Sequence, residues 1–302
     1  MCEPIGDAIS IISAGAEIAS GMLQRKNFMR ERADDYLVDC LIKNGEITEY
    51  NLDVAVKLFG ITELVKKCEN KAKIVSKADK MCLDYYNQKK KQPEDIDDDW
   101  MLYFLDRASL VSDETIQTLW ASIFTKECFE KGSFRKVMLD RIAMLDRSTA
   151  DAFGKLCALT YGIKVSDDRD YSIPLYLRDA SLKRIINSNN GYSESDALKY
   201  QNIRPNEEEL EILQDIGLIK LSSEFDDGDI YSSEKIDFTI TTSNSSFDIE
   251  AIYDDENDVF YQLTGNASYT RIGLELYEAV KRQYPQQEIL DLTVKSFYDS
   301  AL

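Results

Sequence analysis

The sequence predicts a mainly α protein: an N-terminal helical region, a central helical bundle, and a small α+β part at the C-terminal end. Three observations predict it. Apolar residues recur at helical spacing through most of the chain up to Leu159. Beyond Asn206 the pattern changes to short alternating runs separated by turn residues. Five Pro and 13 Gly in 302 residues are few, which favours long regular elements over loops. With 44% hydrophobic residues the chain can bury two or three modest cores.

Residues 1–92 form the N-terminal helical region. Ile5, Ile9, Ile12, Ala16, Ala19 and Leu23 share one side of a first helix over 5–23, and Gly6, Gly15 and Gly21 permit close packing on another helix. Asp7 and Glu17 interrupt the stretch from Pro4 to Leu23, so no run reaches the length of a transmembrane segment, and no basic leader precedes it. The helical pattern resumes from Asn27 to about Leu41 and from about Leu52 to Lys91. Ten Lys against four acidic residues lie between Lys57 and Lys91, among them Lys66, Lys67, Lys71, Lys73, Lys77 and Lys80. Val65, Cys68, Ala72, Val75, Ala78, Met81, Cys82 and Tyr85 supply the apolar stripe of a long helix or helical hairpin. Its basic face can stay solvated or meet phosphate or an acidic protein surface.

Residues 93–165 form the central bundle. Pro93 and the acidic cluster Glu94, Asp95, Asp97, Asp98 and Asp99 end one helix and favour the first turn of the next. Trp100, Tyr103, Phe104 and Ala108 continue it. Ser112 is the expected cap of a second helix carrying Ile116, Leu119, Trp120, Ile123 and Phe124. Gly132 and Ser133 mark a turn and cap before Phe134, Val137, Met138, Arg141, Ile142 and Leu145. Ser148 with Asp151 reads as a variant capping box for a last helix through Leu159.

The run from Asp106 to Phe124, then Gly132-Ser133-Phe134, then Ala143 to Asp151, resembles the bacterial family known as domain of unknown function 2806. It is similar, more distantly, to the Abi-alpha group linked to abortive phage infection. Leu119-Trp120-Ala121 matches the Leu-Trp-Ala element of both families, and Leu145 to Ala152 matches the second element with an altered cap. The resemblance implies a scaffold, sensor or effector in phage defence and carries over no catalytic residue. Asp106, Arg107, Trp120 and Arg141 are the candidate partner or ligand contacts; their plainer role is a core anchor at Trp120 and charges that orient helices.

Residues 166–191 read as a linker, within a loop expected from about Lys164 to Asn190. Residues 192–302 form the last domain. Asn206 and Glu209 make a capping-box signal, Leu210, Leu213 and Ile216 share a face, and Gly217 stops the helix. A hairpin alternates through Ile236, Phe238 and Ile240 and back through Phe247, Ile249 and Ala251, with a further strand at Val259–Leu263. Tyr269 to Leu276 opens a final helix running through Tyr284. Helix, turn, strands and a closing Thr-x-x-Gly-x-Glu-Leu helix resemble a winged-helix domain, whose usual role is to press a helix into the major groove of DNA. Here Glu207, Glu208, Glu209 and Glu211 line that helix, and residues 192–302 hold 8 basic against 24 acidic groups. Such a surface repels phosphate, so the expectation is a winged-helix-like protein-interaction module.

The chain contains no His, which removes the usual general base and the commonest metal ligand. Cys2, Cys40, Cys68, Cys82, Cys128 and Cys157 include no CxxC pair and lack the spacing of a zinc or iron–sulfur site. Their scatter fits buried thiols of a reducing, cytoplasmic compartment. No catalytic residue, metal or cofactor is expected. The leading expectation is a non-enzymatic interaction or scaffold protein acting by self-association or through a protein partner. The alternatives are a nucleic-acid-associated regulator using residues 57–91 and a carboxylate- or metal-dependent enzyme.

Overall fold

The computed structural model describes residues 52–165, 170–176, 194–221, 229–232, 238–242, 246–249, 259–262 and 267–289. The helices expected over residues 5–23 and 27–41, most of the expected linker, Ile236 and Ala251 lie outside them. The described chain is mainly helical with small antiparallel sheets. It divides into two compact units, residues 1–143 and 144–302.

In the first unit α1 (Leu52–Lys89) is one continuous helix of 38 residues, about 57 Å long. It packs beside α3 (Glu114–Phe129), with α2 (Asp98–Ala108) and α4 (Lys136–Ile142) completing the bundle. Asp97 caps α2 by accepting the Trp100 amide at 2.9 Å. The cap of α3 is Asp113, which accepts the Thr115 and Ile116 amides, rather than the expected Ser112. A carboxylate there meets two amide donors and the positive end of the helix, which a neighbouring hydroxyl cannot match.

The core of this unit is aromatic. Phe104 stacks on Trp100 at 5.1 Å and meets Trp120 at 5.2 Å and Phe124 at 5.4 Å. Trp120 is 0% exposed, and its indole N–H has no hydrogen-bond partner among the described residues. Between α3 and α4 the buried Glu127 carboxylate accepts the Gly132 amide at 2.7 Å and the Phe134 amide at 2.9 Å. Gly132 takes φ +85° to make that turn, and the Phe134 carbonyl then accepts the Trp100 indole N–H.

In the second unit α5 (Arg147–Ala158) is capped by Asp146, not Ser148; the Ser148 hydroxyl instead donates to Asp146 Oδ1 at 2.8 Å. The chain then enters β1 (Thr160–Val165) and β2 (Asp170–Pro174), two paired strands in place of the loop expected from Lys164. Tyr161 and Ile163 are buried while Lys164 is exposed, an alternation that follows α5 with only Leu159 between. Next come α6 (Glu194–Ile203), α7 (Glu207–Ile216), β3 (Ile219–Leu221), β4 (Asp229–Ser232), β5 (Phe238–Thr241), β6 (Ser246–Ile249), β7 (Val259–Gln262), β8 (Ala267–Tyr269) and α8 (Arg271–Val280).

The four-stranded sheet has the order β2-β1-β5-β6, and the pairs β3-β8 and β4-β7 stand separately. The expected hairpin forms, with Phe238 opposite Ile249 and Ile240 opposite Phe247. Val259–Gln262 is a strand, but its partner is β4, which the acidic stretch around Asp229 did not suggest. The Asn206–Glu209 capping box and the Gly217 stop at φ +85° both form. Thr270 caps α8 and its hydroxyl donates to the Gly217 and Leu218 carbonyls, tying α8 to the end of α7.

Candidate partner-binding surface

Of the charged residues singled out in the sequence, Asp106 and Arg107 meet where α2 packs on α4, while Arg141 lies on α4 with no contact to them among the described residues. Helical spacing sets them in rows. Leu102 and Asp106 lie one turn apart on α2, and Tyr103 and Arg107 form the next row. Across the seam α4 presents Lys136 with Asp140, then Val137 with Arg141.

Asp140 joins the two helices. Its Oδ1 accepts the Tyr103 hydroxyl at 2.6 Å and Arg107 Nε at 2.9 Å. Those two donors, Tyr103 first and Arg107 second, hold the Asp140 carboxyl below the usual carboxylate range. Arg107 also lies over the Tyr103 ring at 4.9 Å, reaches the Tyr103 oxygen at 3.2 Å, and pairs with exposed Asp106 at 3.3 Å. Lys136 stands 5.7 Å from the centre of the same ring. A guanidinium fixed by a ring, a hydroxyl and two carboxylates loses little freedom when a partner docks, since its side chain is already ordered.

Beside these groups Leu102 is 68% and Val137 60% exposed. Val137 belongs to the apolar series of α4 in the sequence, yet α4 turns Met138, Leu139 and Ile142 inward and leaves Val137 out. Arg141 is exposed and has no ion pair among the described residues. Trp120 does not reach this surface; it lies beneath, packed on Phe104. Asp140, Tyr103 and Lys136 escaped the sequence reading because their pairing links positions 33 or more apart, for which the local pattern holds no signal.

The six lysines singled out on α1 divide. Lys77 docks onto α3, donating to Thr118 Oγ1 at 2.8 Å and the Glu114 carbonyl at 3.1 Å. Lys67 pairs with Glu63 at 2.6 Å, and Lys71 is half-buried. Lys66, Lys73 and Lys80 are exposed at intervals of seven residues, hence on one face, with Glu69 between the first two. Among the described residues no cluster of three or more His, Cys, Asp or Glu could hold a metal, and no helix is long and apolar enough to cross a membrane.

A family model described as "Protein of unknown function (DUF2806)" matches residues 62–292. No curated protein and no solved structure matches the chain.

Proposed function

The chain belongs to the DUF2806 family, and from that premise we propose a non-enzymatic interaction or scaffold protein that meets a protein partner, or a second copy of itself, across the α2–α4 seam. The observation that carries the reading is the seam itself: ordered Tyr103 and Arg107 flanked by exposed Leu102 and Val137. Tyr and Arg are the residues that dominate the centres of protein interfaces, and apolar neighbours exclude water around them. The second unit would add a winged-helix-like contact module. The α7–Gly217–β3 turn and the Thr270-capped α8 support that reading, and exposed Glu207, Glu208 and Glu211 favour a protein over a phosphate backbone. Likeness of the Leu119-Trp120-Ala121 region to the Abi-alpha group supports a role in phage defence, and the scattered cysteines support a cytoplasmic one.

The test is light scattering at low and high ionic strength, with capture of partners, on wild-type protein and on Val137→Asp and Arg107→Glu. The wild type is expected to form an assembly or complex, and each variant to weaken it at least tenfold, since fully burying a Val contributes about 1.5 kcal/mol or more. A wild-type chain that stays monomeric and captures no protein overturns the proposal.

The exposed line Lys66, Lys73 and Lys80 favours a second reading, contact with nucleic acid along α1. Binding would then weaken steeply with salt and fall in the triple Glu variant. Absence of binding to duplex or single-stranded DNA or RNA at low salt removes this reading.

A further inference from the structure

We infer that Cys82 and Cys128 form an oxidisable dithiol, a modification site at which hydrogen peroxide converts two buried thiols into a disulfide joining α1 to α3. Helices α1 and α3 run side by side in the same direction. Their contacts follow in step: Lys77 to Thr118 at 2.8 Å, Ser122 to Met81 Sδ at 3.4 Å, Cys82 to Thr125 at 3.7 Å, and the Tyr85 ring on Phe129 at 4.4 Å. Small residues let the backbones approach closely here. Ala78 and Ala121 are fully buried, and the Thr125 hydroxyl, which donates to the Ala121 carbonyl at 2.8 Å, lies 3.5 Å from the Ala78 carbonyl of the other helix.

Cys82 lies one turn beyond Ala78, and Cys128 three residues beyond Thr125. The two side chains share one buried cluster with Phe129, edged by Tyr85, Tyr86, Ile96 and Phe124. Both are reduced. Their environments divide the labour. The neighbouring Cys128 lowers the Cys82 thiol against the opposing effect of burial, while Cys82 and burial raise Cys128. Since the thiolate is the nucleophile, Cys82 attacks and Cys128 resolves.

In the first step the Cys82 thiolate attacks one oxygen of the peroxide; an S–O bond forms, the O–O bond breaks, and hydroxide leaves and is protonated to water, giving the sulfenic acid. In the second, Cys128 sulfur attacks Cys82 sulfur. The S–S bond forms, the S–O bond breaks, and the leaving hydroxide takes the Cys128 proton as water. Two thiols and one peroxide become one disulfide and two waters. On the same helix Cys68 does not compete, being fourteen residues earlier on α1, about 21 Å along the axis.

Full-length protein exposed to hydrogen peroxide, denatured with N-ethylmaleimide present and mapped without reduction tests this. A peptide linking Cys82 to Cys128, lighter by two hydrogens and released by dithiothreitol, is expected. Cys128→Ser should stop at a Cys82 sulfenic acid that dimedone labels, and Cys82→Ser should abolish both the link and the label. Cys82→Ala and Cys128→Ala repeat the comparison where a serine variant fails to fold by circular dichroism. Wild-type protein in which both thiols remain open to the maleimide, or in which either links to a different cysteine, overturns the inference, as does dimedone label on Cys128 in place of Cys82.

Discussion

In the first unit the contacts that decide the fold run between side chains: Phe104 meets Trp100, Trp120 and Phe124, and Asn70, Gln117 and Lys77 lock α1 to α3 and its approach. In the second unit they run through the backbone. Gly217 turns the chain at positive φ, Thr270 holds two carbonyls, and Gly273 brings α8 onto the Leu218 carbonyl with no room for a side chain. Long helices bury broad apolar stripes and so interdigitate. Helices and strands of three to twelve residues bury less each, and are held by fitting main chain against main chain. Both Trp residues, Trp100 and Trp120, lie in the first unit, so their fluorescence follows that unit alone while amide exchange follows either.

The largest effect is expected at Trp120. Removing a fully buried indole in Trp120→Ala leaves a cavity among Phe104 and its neighbours and costs roughly 3–5 kcal/mol. Trp120→Phe keeps most of the packing and gives up an N–H with no partner among the described residues, so its cost is less than half of that. Urea unfolding followed by Trp100 fluorescence checks both. Equal losses in the two variants would mean that the indole nitrogen, rather than its ring, is what the core requires.

Next comes Gly273→Ala. An added Cβ would lie 1.9 Å from the Leu218 carbonyl oxygen, a backbone atom that cannot swing away. The loss should be about 2–4 kcal/mol, at the upper end of overpacking costs, and should appear as lost amide protection in α7, β8 and α8. Tryptophan fluorescence should still report its transition at the wild-type urea concentration. A matching shift in both probes would break the contrast between the units, because the strain would then be shared.

What the sequence disclosed follows the same division. Elements bounded by local chemistry were legible: Asn206 with Glu209, Gly217, Thr270 at the start of α8, and the alternation across β5 and β6 all act within a few residues. Caps slipped by a residue or two at Asp113 and Asp146, where a Ser nearby offered a plausible hydroxyl but the aspartate made more bonds. Strands β1 and β4 were hidden, one following a helix almost without punctuation and the other lying in an acidic run. At the seam, Asp106 and Arg107 stand out as charges at a helix end, whereas Asp140 gains its role only once α4 folds back beside α2. Glu127 is the same case: nothing beside it in the chain announces a carboxylate that will close a turn five to seven residues later.

The smallest effect expected is a pH dependence at Asp146, the cap of α5. The Thr149 amide, then the Thr149 hydroxyl and the Ser148 hydroxyl, hold its carboxyl below the ordinary range. An unfolded Asp titrates near pH 3.9, roughly. The folded group keeps its charge to lower pH, so its contribution is fully present above that value and fades as pH falls through the lowered folded pKa. Asp146→Asn retains a capping oxygen without the charge. Near neutral pH the variant should match the wild type within about 0.5 kcal/mol. Below pH 4, roughly, the wild type should lose stability faster than the variant. Urea melts at pH 7 and pH 3, read by amide exchange in α5, make the comparison. Parallel losses in both proteins would show that Asp146 holds this helix by its shape as an acceptor and not by its charge, and would bring the start of α5 closer to the backbone-fitted character of the rest of its unit.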